Sequence, residues 1–104
     1  SEKFNILNQR LKELGVPVAY HHFDEPQELP FIVYYSSSME NFSADNEMFY
    51  QFDHFDVEVY TDFKDLVLED ELHDLFVELG LQYEHYEVYI KEEKMYMQNF
   101  TLTW

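Results

Sequence analysis

Two stretches of the chain repeat apolar residues at spacings of three and four, which puts them on one face of a helix. The first stretch has Phe4, Leu7, Leu11 and Leu14, and the second has Leu68, Leu72, Leu75, Phe76 and Leu79. Gly15 and Gly80 follow directly, as residues that end helices commonly do. Residues 61–65 offer capping side chains ahead of the second stretch. The pattern predicts two short amphipathic helices.

Five other stretches are rich in β-branched and aromatic residues and predict strands. They cover residues 18–23, 31–35, 47–60, 82–90 and 94–104. Within the third, Phe55, Val57 and Val59 alternate with Asp56 and Glu58, so one side of the strand is apolar and the other acidic. The last two stretches meet at residues 91–94, which predict a hairpin turn.

Residues 36–46 (SSSMENFSADN) have the composition of a long loop, yet they include the apolar Met39 and Phe42. Two interpretations follow. The segment is either an arm that inserts into a neighbouring molecule or a surface loop that packs locally.

The predicted order of elements is α-β-β-β-α-β-β, in a single domain over residues 1–104. The simplest packing is an α+β fold, with both helices on one face of a mostly antiparallel sheet. The other face carries many tyrosines, which suit a surface that is wet in the monomer and buried in an assembly. The pattern therefore favours oligomerisation.

Charge narrows the possible partners. The chain has 22 Asp and Glu residues against 6 Lys and Arg, a formal net charge of −16. Such a polyanion repels nucleic acids and anionic membranes, because binding phosphate needs clustered cations. No stretch approaches a membrane span, and no cationic start followed by an apolar block indicates a signal peptide. We expect no membrane partner and no specific DNA binding.

The sequence contains no recognisable catalytic motif. There is no cysteine, no nucleophile elbow and no glycine-rich phosphate loop, since the only glycines are Gly15 and Gly80. His21 and His22 are adjacent, and adjacent strand residues point to opposite faces, which is poor geometry for one metal ion. We expect no enzyme activity, no metal site and no cofactor.

Several blocks of sequence, in their order and spacing, resemble a family of short proteins from siphophages and prophages of Gram-positive bacteria. The blocks are residues 15–23 (GVPVAYHHF), 30–34 (PFIVY), 41–46 (NFSADN), 57–65 (VEVYTDFKD), 83–84 (YE) and 89–96 (YIKEEKMY). Members of that family are tail terminators, also described as tail completion or head–tail joining proteins. The resemblance implies a mixed sheet with flanking helices and no catalytic residues.

The resemblance also implies a location and a set of partners. Tail terminators form a hexameric ring that caps the tail tube and presents a docking surface for the head. The expected partners are further copies of the chain, the major tail-tube protein and a head-completion or connector protein, with DNA passing through unbound. The expected location is the head-proximal end of the virion tail, after assembly in the host cytoplasm.

Two sets of candidate residues follow for such a ring. The candidate interface with other subunits or with the tube comprises Met39, Asn41, Phe42, Ala44, Asp45, Asn46, Tyr50, Tyr86 and Tyr96. The candidate lining of an acidic bore, which would repel passing DNA, comprises Asp56, Glu58, Glu69, Asp70 and Asp74. The alternative function is an acidic inhibitor or DNA mimic that binds a basic host protein.

Overall fold

The computed structural model describes residues 2–43 and 49–104, leaving aside the side chains of residues 38–43 and 49–51. Its elements follow the predicted order. They are α1 (Glu2–Lys12), β1 (Val18–Tyr20), β2 (Phe31–Ser43), β3 (Phe49–Thr61), α2 (Leu66–Glu78), β4 (Gln82–Ile90) and β5 (Met95–Thr103).

The five strands form one sheet in the order β1-β2-β3-β5-β4. Every neighbouring pair is antiparallel except β1 with β2, which run parallel. The hairpin between β4 and β5 closes at the pair formed by Ile90 and Met95, as predicted for residues 91–94. The α+β class and the mostly antiparallel sheet are therefore confirmed.

Both helices pack on the same face of the sheet, as predicted. Their apolar stripes join the inward-facing strand residues in one buried cluster. That cluster comprises Leu7 and Leu11 of α1, Leu68, Leu72, Leu75 and Phe76 of α2, Leu81, and the strand residues Ile32, Tyr34, Phe55, Val57, Val59, Phe100 and Leu102. Burial of this apolar surface is the main force that holds the helices to the sheet.

The helix ends use the predicted signals. The Asp65 carboxylate accepts a hydrogen bond from the Leu68 backbone N–H (3.0 Å), which satisfies one of the free donors at the start of α2. Gly15 and Gly80 follow the two helices with φ of +83° and +74°. This left-handed conformation reverses the chain after a helix, and glycine adopts it without steric cost.

The first strand is shorter than predicted, because β1 ends at Tyr20 and not at residue 23. His21 has a φ of +71°, which turns the chain out of the strand. Since β2 runs parallel to β1, residues 21–30 must then cross one face of the sheet to reach the start of β2. The helices occupy the other face, so this crossing segment lies on the face that they leave open.

The prediction of a loop over residues 36–46 is wrong for its first part. Residues 36–43 belong to β2 and pair with β3 from Ser36 opposite Phe55 to Ser43 opposite Phe49, with a bulge between Ser36 and Ser38. Residues 44–46 lie outside the described part of the chain. Serine and asparagine favour turns locally, but pairing with a distant strand decides the conformation here.

The paired strands β2 and β3 reach beyond their neighbours. In the described residues, β1 contacts β2 only as far as Tyr34, and the last pairing of β3 with the C-terminal segment joins Asp53 to Trp104. Beyond these points β2 and β3 pair with each other alone, as a two-stranded ribbon of residues 40–43 and 49–52. The molecule is accordingly elongated, at 53 × 26 × 25 Å.

Candidate interaction surfaces

The sheet face turned away from the helices, here called the open face, carries alternate residues of each strand. Strand register gives its central members as Val33, Tyr35, Asp56, Glu58, Tyr60, Glu84, Tyr86, Asn99 and Thr101. Tyrosines and carboxylates therefore lie side by side, as the alternation in β3 predicts. None of the five strands, from its first to its last residue, contains a Lys or Arg.

Glu58 forms the centre of a tyrosine cluster on the open face. Its carboxylate accepts hydrogen bonds from the Tyr60 hydroxyl (3.0 Å) and from the Tyr35 hydroxyl (3.4 Å). Burial, and then the negative charge of Glu58, raise the pKa of Tyr35 to about 12. The same two causes raise the pKa of Tyr60. Both hydroxyls therefore stay protonated at neutral pH and act as donors to Glu58.

Asp56 is the second carboxylate of this face and is also held by neutral donors. The Thr101 hydroxyl donates to its Oδ1 at 3.0 Å, and the Asn99 side-chain amide donates to the same atom at 3.3 Å. Asn99 is buried, with 2% of its surface exposed, although it points away from the helices. These hydrogen bonds fix the carboxylate but leave its charge uncompensated.

The crossing segment and the open face border a shallow cleft of about 340 Å³ that is open to solvent. Phe31, Val33, Glu58 and Tyr60 line the cleft on the sheet side, and residues between 21 and 27 line it on the other. Val33 is only 7% exposed, since the segment lies above it. The sequence did not reveal this cleft, because which face the segment crosses depends on where the helices pack.

The two adjacent histidines differ from the sequence-based expectation. His21 and His22 do not point to opposite faces, because both follow the end of β1. Their Nδ1 atoms lie 3.2 Å apart, and both side chains are exposed. Among the side chains that the structure describes, no group of three His, Cys, Asp or Glu residues is arranged to hold a metal ion. The absence of a metal site remains a prediction.

The outer side of α2 carries a separate acidic surface. Asp70 and Asp74 are exposed there, and Asp74 borders a groove between the two helices that also contains Glu71 and Glu78. Glu69 differs from them, since Lys64 pairs with it at 2.8 Å and also reaches Glu87 at 2.7 Å. These hydrogen bonds raise the pKa of Lys64 and lower that of Glu87. Glu69 is therefore a paired charge at the side of the sheet.

The five candidate bore residues do not share one surface. Asp56 and Glu58 lie on the open face, whereas Glu69, Asp70 and Asp74 belong to α2 on the other side of the sheet. The reason is the packing of both helices on one face, which directs the outer side of α2 away from the open face. The two acidic surfaces of one molecule therefore point in opposite directions.

The candidate interface residues are also spread over the molecule. Met39, Asn41 and Phe42 lie in β2, the last two in its ribbon portion, and Tyr50 lies in the ribbon portion of β3. Ala44, Asp45 and Asn46 are outside the described residues. Tyr86 is 54% exposed on the open face. Tyr96 occupies a β5 position of the other parity and packs edge-on against Tyr89, with ring centroids 4.9 Å apart.

Among the described residues, neither helix is long and apolar enough to cross a membrane.

Comparison with known proteins identifies the fold. No protein-family profile matches the sequence, and no curated protein sequence matches it. In structure, the chain is similar to a chain of a particle described as the virion of a native gene transfer agent, with a TM-score of 0.62. The likeness covers 92% of this chain and 87% of that chain, at 13% sequence identity. At that identity the match establishes a shared fold.

Proposed function

We propose that this protein is a structural component of a phage-like virion, and that it acts as a tail terminator. In this role, copies of the chain form a ring, a hexamer in the assembled tail, which caps the tail tube and joins it to the head. The observation that carries the proposal is the fold, which over nearly its whole length is that of a chain in a gene transfer agent virion. The sequence blocks at residues 15–23 and 57–65 point to the terminator within that broader class.

A ring needs a surface on each subunit that fits a different surface on the next one, since only such head-to-tail contacts close into a cycle. The ribbon of residues 40–43 and 49–52 supports this requirement. It extends past the strands that flank β2 and β3, so it can reach an adjacent subunit. We therefore assign the subunit or tube interface to the ribbon that holds Asn41, Phe42 and Tyr50. Ala44, Asp45 and Asn46, which lie outside the described residues, remain part of this proposed interface.

The bore is assigned to the outer side of α2. Its carboxylates Asp70 and Asp74 are exposed to solvent, as a surface that repels passing DNA requires. Asp56 and Glu58 are instead held by tyrosine, threonine and asparagine donors on the open face. Because the two acidic surfaces face opposite ways, a ring with α2 towards its axis presents the open face to other proteins.

The proposal includes no catalytic role, cofactor or membrane partner. The partners are the major tail-tube protein on one side and a head-completion or connector protein on the other. The site of action is the head-proximal end of the tail, and assembly takes place in the host cytoplasm.

The proposal is tested by growing tail tubes from purified tube protein with and without this chain and measuring their lengths by electron microscopy. A terminator ends tube growth and forms a ring at one tube end. Tubes of unlimited length without terminal rings would contradict the proposal, and tight binding to a DNA-binding host protein instead would favour the DNA mimic.

A second experiment tests the proposed bore. The double variant Asp70→Asn with Asp74→Asn should leave capping intact but slow DNA release from assembled particles. The matched pair Asp24→Asn with Glu28→Gln removes the same charge from the exposed crossing segment, on the side of the sheet away from α2, and should leave DNA release unchanged.

A further inference from the structure

The cleft between the crossing segment and the open face has the composition of a binding site for a cationic side chain. Its walls include the aromatic rings of Phe31 and Tyr60, which are stacked with centroids 4.9 Å apart and an angle of 25° between planes. Phe23 packs edge-on against Phe31 at 5.5 Å. Such a wall offers ring surface against which a planar or aliphatic group packs.

Glu58 provides the negative charge on the sheet side of the cleft, and Glu25 of the crossing segment adds a second carboxylate to its lining. Glu58 lines the cleft and accepts hydrogen bonds from two tyrosine hydroxyls, which orient it without neutralising it. No strand of the sheet includes a Lys or Arg in its sequence. A partly buried carboxylate without a cation is costly, and a cation supplied by a partner removes that cost.

From this combination we propose that the cleft binds an arginine side chain of another protein. The guanidinium group is planar, so it stacks on the ring of Tyr60 or Phe31 while its N–H groups donate to the Glu58 carboxylate. A lysine ammonium forms the charge pair but cannot stack in the same way. The cleft volume of about 340 Å³ accommodates a long side chain. The proposal does not depend on the role in a virion.

The arginine belongs to a different protein and not to a second copy of this chain. Arg10 is the only arginine in the sequence, and it is already engaged. Its guanidinium group contacts Glu78 at 2.7 Å and Glu13 at 3.2 Å, where it links α1 to α2. With a net charge of −16, two copies also repel each other in general, whereas a partner with an arginine-bearing surface is attracted.

Three blocked tripeptides test the proposal by two-dimensional NMR of the full chain. The probes are Ac-Gly-Arg-Gly-NH2, its neutral isostere with citrulline, and the lysine analogue. We expect the arginine peptide to shift amide signals of residues 21–25, 31–33 and 58–60 in a saturable way. The lysine peptide should bind more weakly, and citrulline should give no saturable shift.

Two matched variants complete the experiment. Glu58→Gln keeps an acceptor for the tyrosine hydroxyls but removes the charge, and should weaken arginine binding about tenfold. Glu84→Gln removes the same charge on the open face outside the cleft, and should change binding less than about twofold. Should Glu58→Gln fail to keep the native spectrum, Phe31→Leu tests the aromatic wall, with weaker arginine binding expected. Any of three results would overturn the proposal. The citrulline peptide binds as tightly as the arginine peptide, the arginine peptide shifts signals around Asp70 and Asp74 as much as those of the cleft, or a folded Glu58→Gln or Phe31→Leu variant binds arginine with full affinity.

Discussion

The contact between Tyr34 and Asn8 gives the sharpest prediction about how α1 is held on the sheet. Tyr34 is fully buried in β2, and its ring packs against Phe4 and Tyr20 at 5.7 and 5.3 Å. Its hydroxyl donates to the Asn8 side-chain oxygen of α1 at 2.6 Å. Burial, and then the nearby Tyr20, raise the pKa of Tyr34 to about 12, so the hydroxyl remains a donor at neutral pH.

Tyr34→Phe removes this hydrogen bond and leaves the ring packing in place. A hydrogen bond between neutral groups contributes about 1 kcal/mol to the free energy of unfolding. Asn8 is half-buried, so water replaces the lost hydroxyl and the loss stays near that mean. In a chain of 104 residues this corresponds to a fall in Tm of about 5 °C.

Urea unfolding followed by far-UV circular dichroism measures the effect. The midpoint should fall with an unchanged slope, because the surface exposed on unfolding stays the same. In a double-mutant cycle with Asn8→Ala, the coupling energy should be about 1 kcal/mol. Tyr89→Phe is the control, since Tyr89 is 51% exposed and should lose almost nothing. A coupling energy below about 0.3 kcal/mol, which is within ordinary additivity, would refute the reasoning.

Three further predictions concern the open face, the second helix and the core. The folded protein should lose stability as the pH rises from 10 towards 12. The pKa of Tyr35 is about 12 in the folded state, above its ordinary value of 10. This shift stabilises the folded state fully below pH 10, and the stabilisation is lost as the pH rises through about 12. Glu58→Gln should lower this pKa in a titration of tyrosinate absorbance, and an unchanged curve would contradict the part of the shift assigned to Glu58, which is second to burial. Asp65→Ala should destabilise the protein by about 1 kcal/mol through loss of the α2 cap, and Asp65→Asn, which keeps an acceptor, by clearly less. Phe76→Ala should cost about 3–5 kcal/mol in chemical unfolding, since the ring is fully buried against Tyr83 and Phe100. A loss below 1 kcal/mol would mean that the core differs from the one described.

The two acidic surfaces have different consequences for an assembly. The carboxylates of α2 are exposed and act mainly through their field, which weakens as salt is added. Glu58 and Asp56 are fixed by hydrogen bonds on a partly buried face, where a correctly placed cation gains most from direct contact. If both proposals hold, salt should weaken DNA repulsion by α2 in the proposed ring more than it weakens the proposed arginine contact at Glu58.

The sequence alone determined the type and order of the elements. Amphipathic spacing identified both helices, and glycine at positions 15 and 80 identified their ends, because these signals act within a few residues. The alternation of Val57 and Val59 with Glu58 also predicted which side of β3 is buried. The residue counts also determined the formal net charge of −16.

Only the tertiary structure decided how these elements form surfaces. Residues 36–43 have the composition of a loop and became strand through pairing with β3, which is distant in sequence. Glu58 and Asp70 looked equivalent as acidic residues, yet the packing of both helices on one face separates them to opposite sides of the molecule. The cleft beside Glu58 arises because a parallel strand connection must cross the face that the helices leave open. Local patterns specify the type and order of the elements, but contacts between distant elements decide how far each strand extends and which side chains meet.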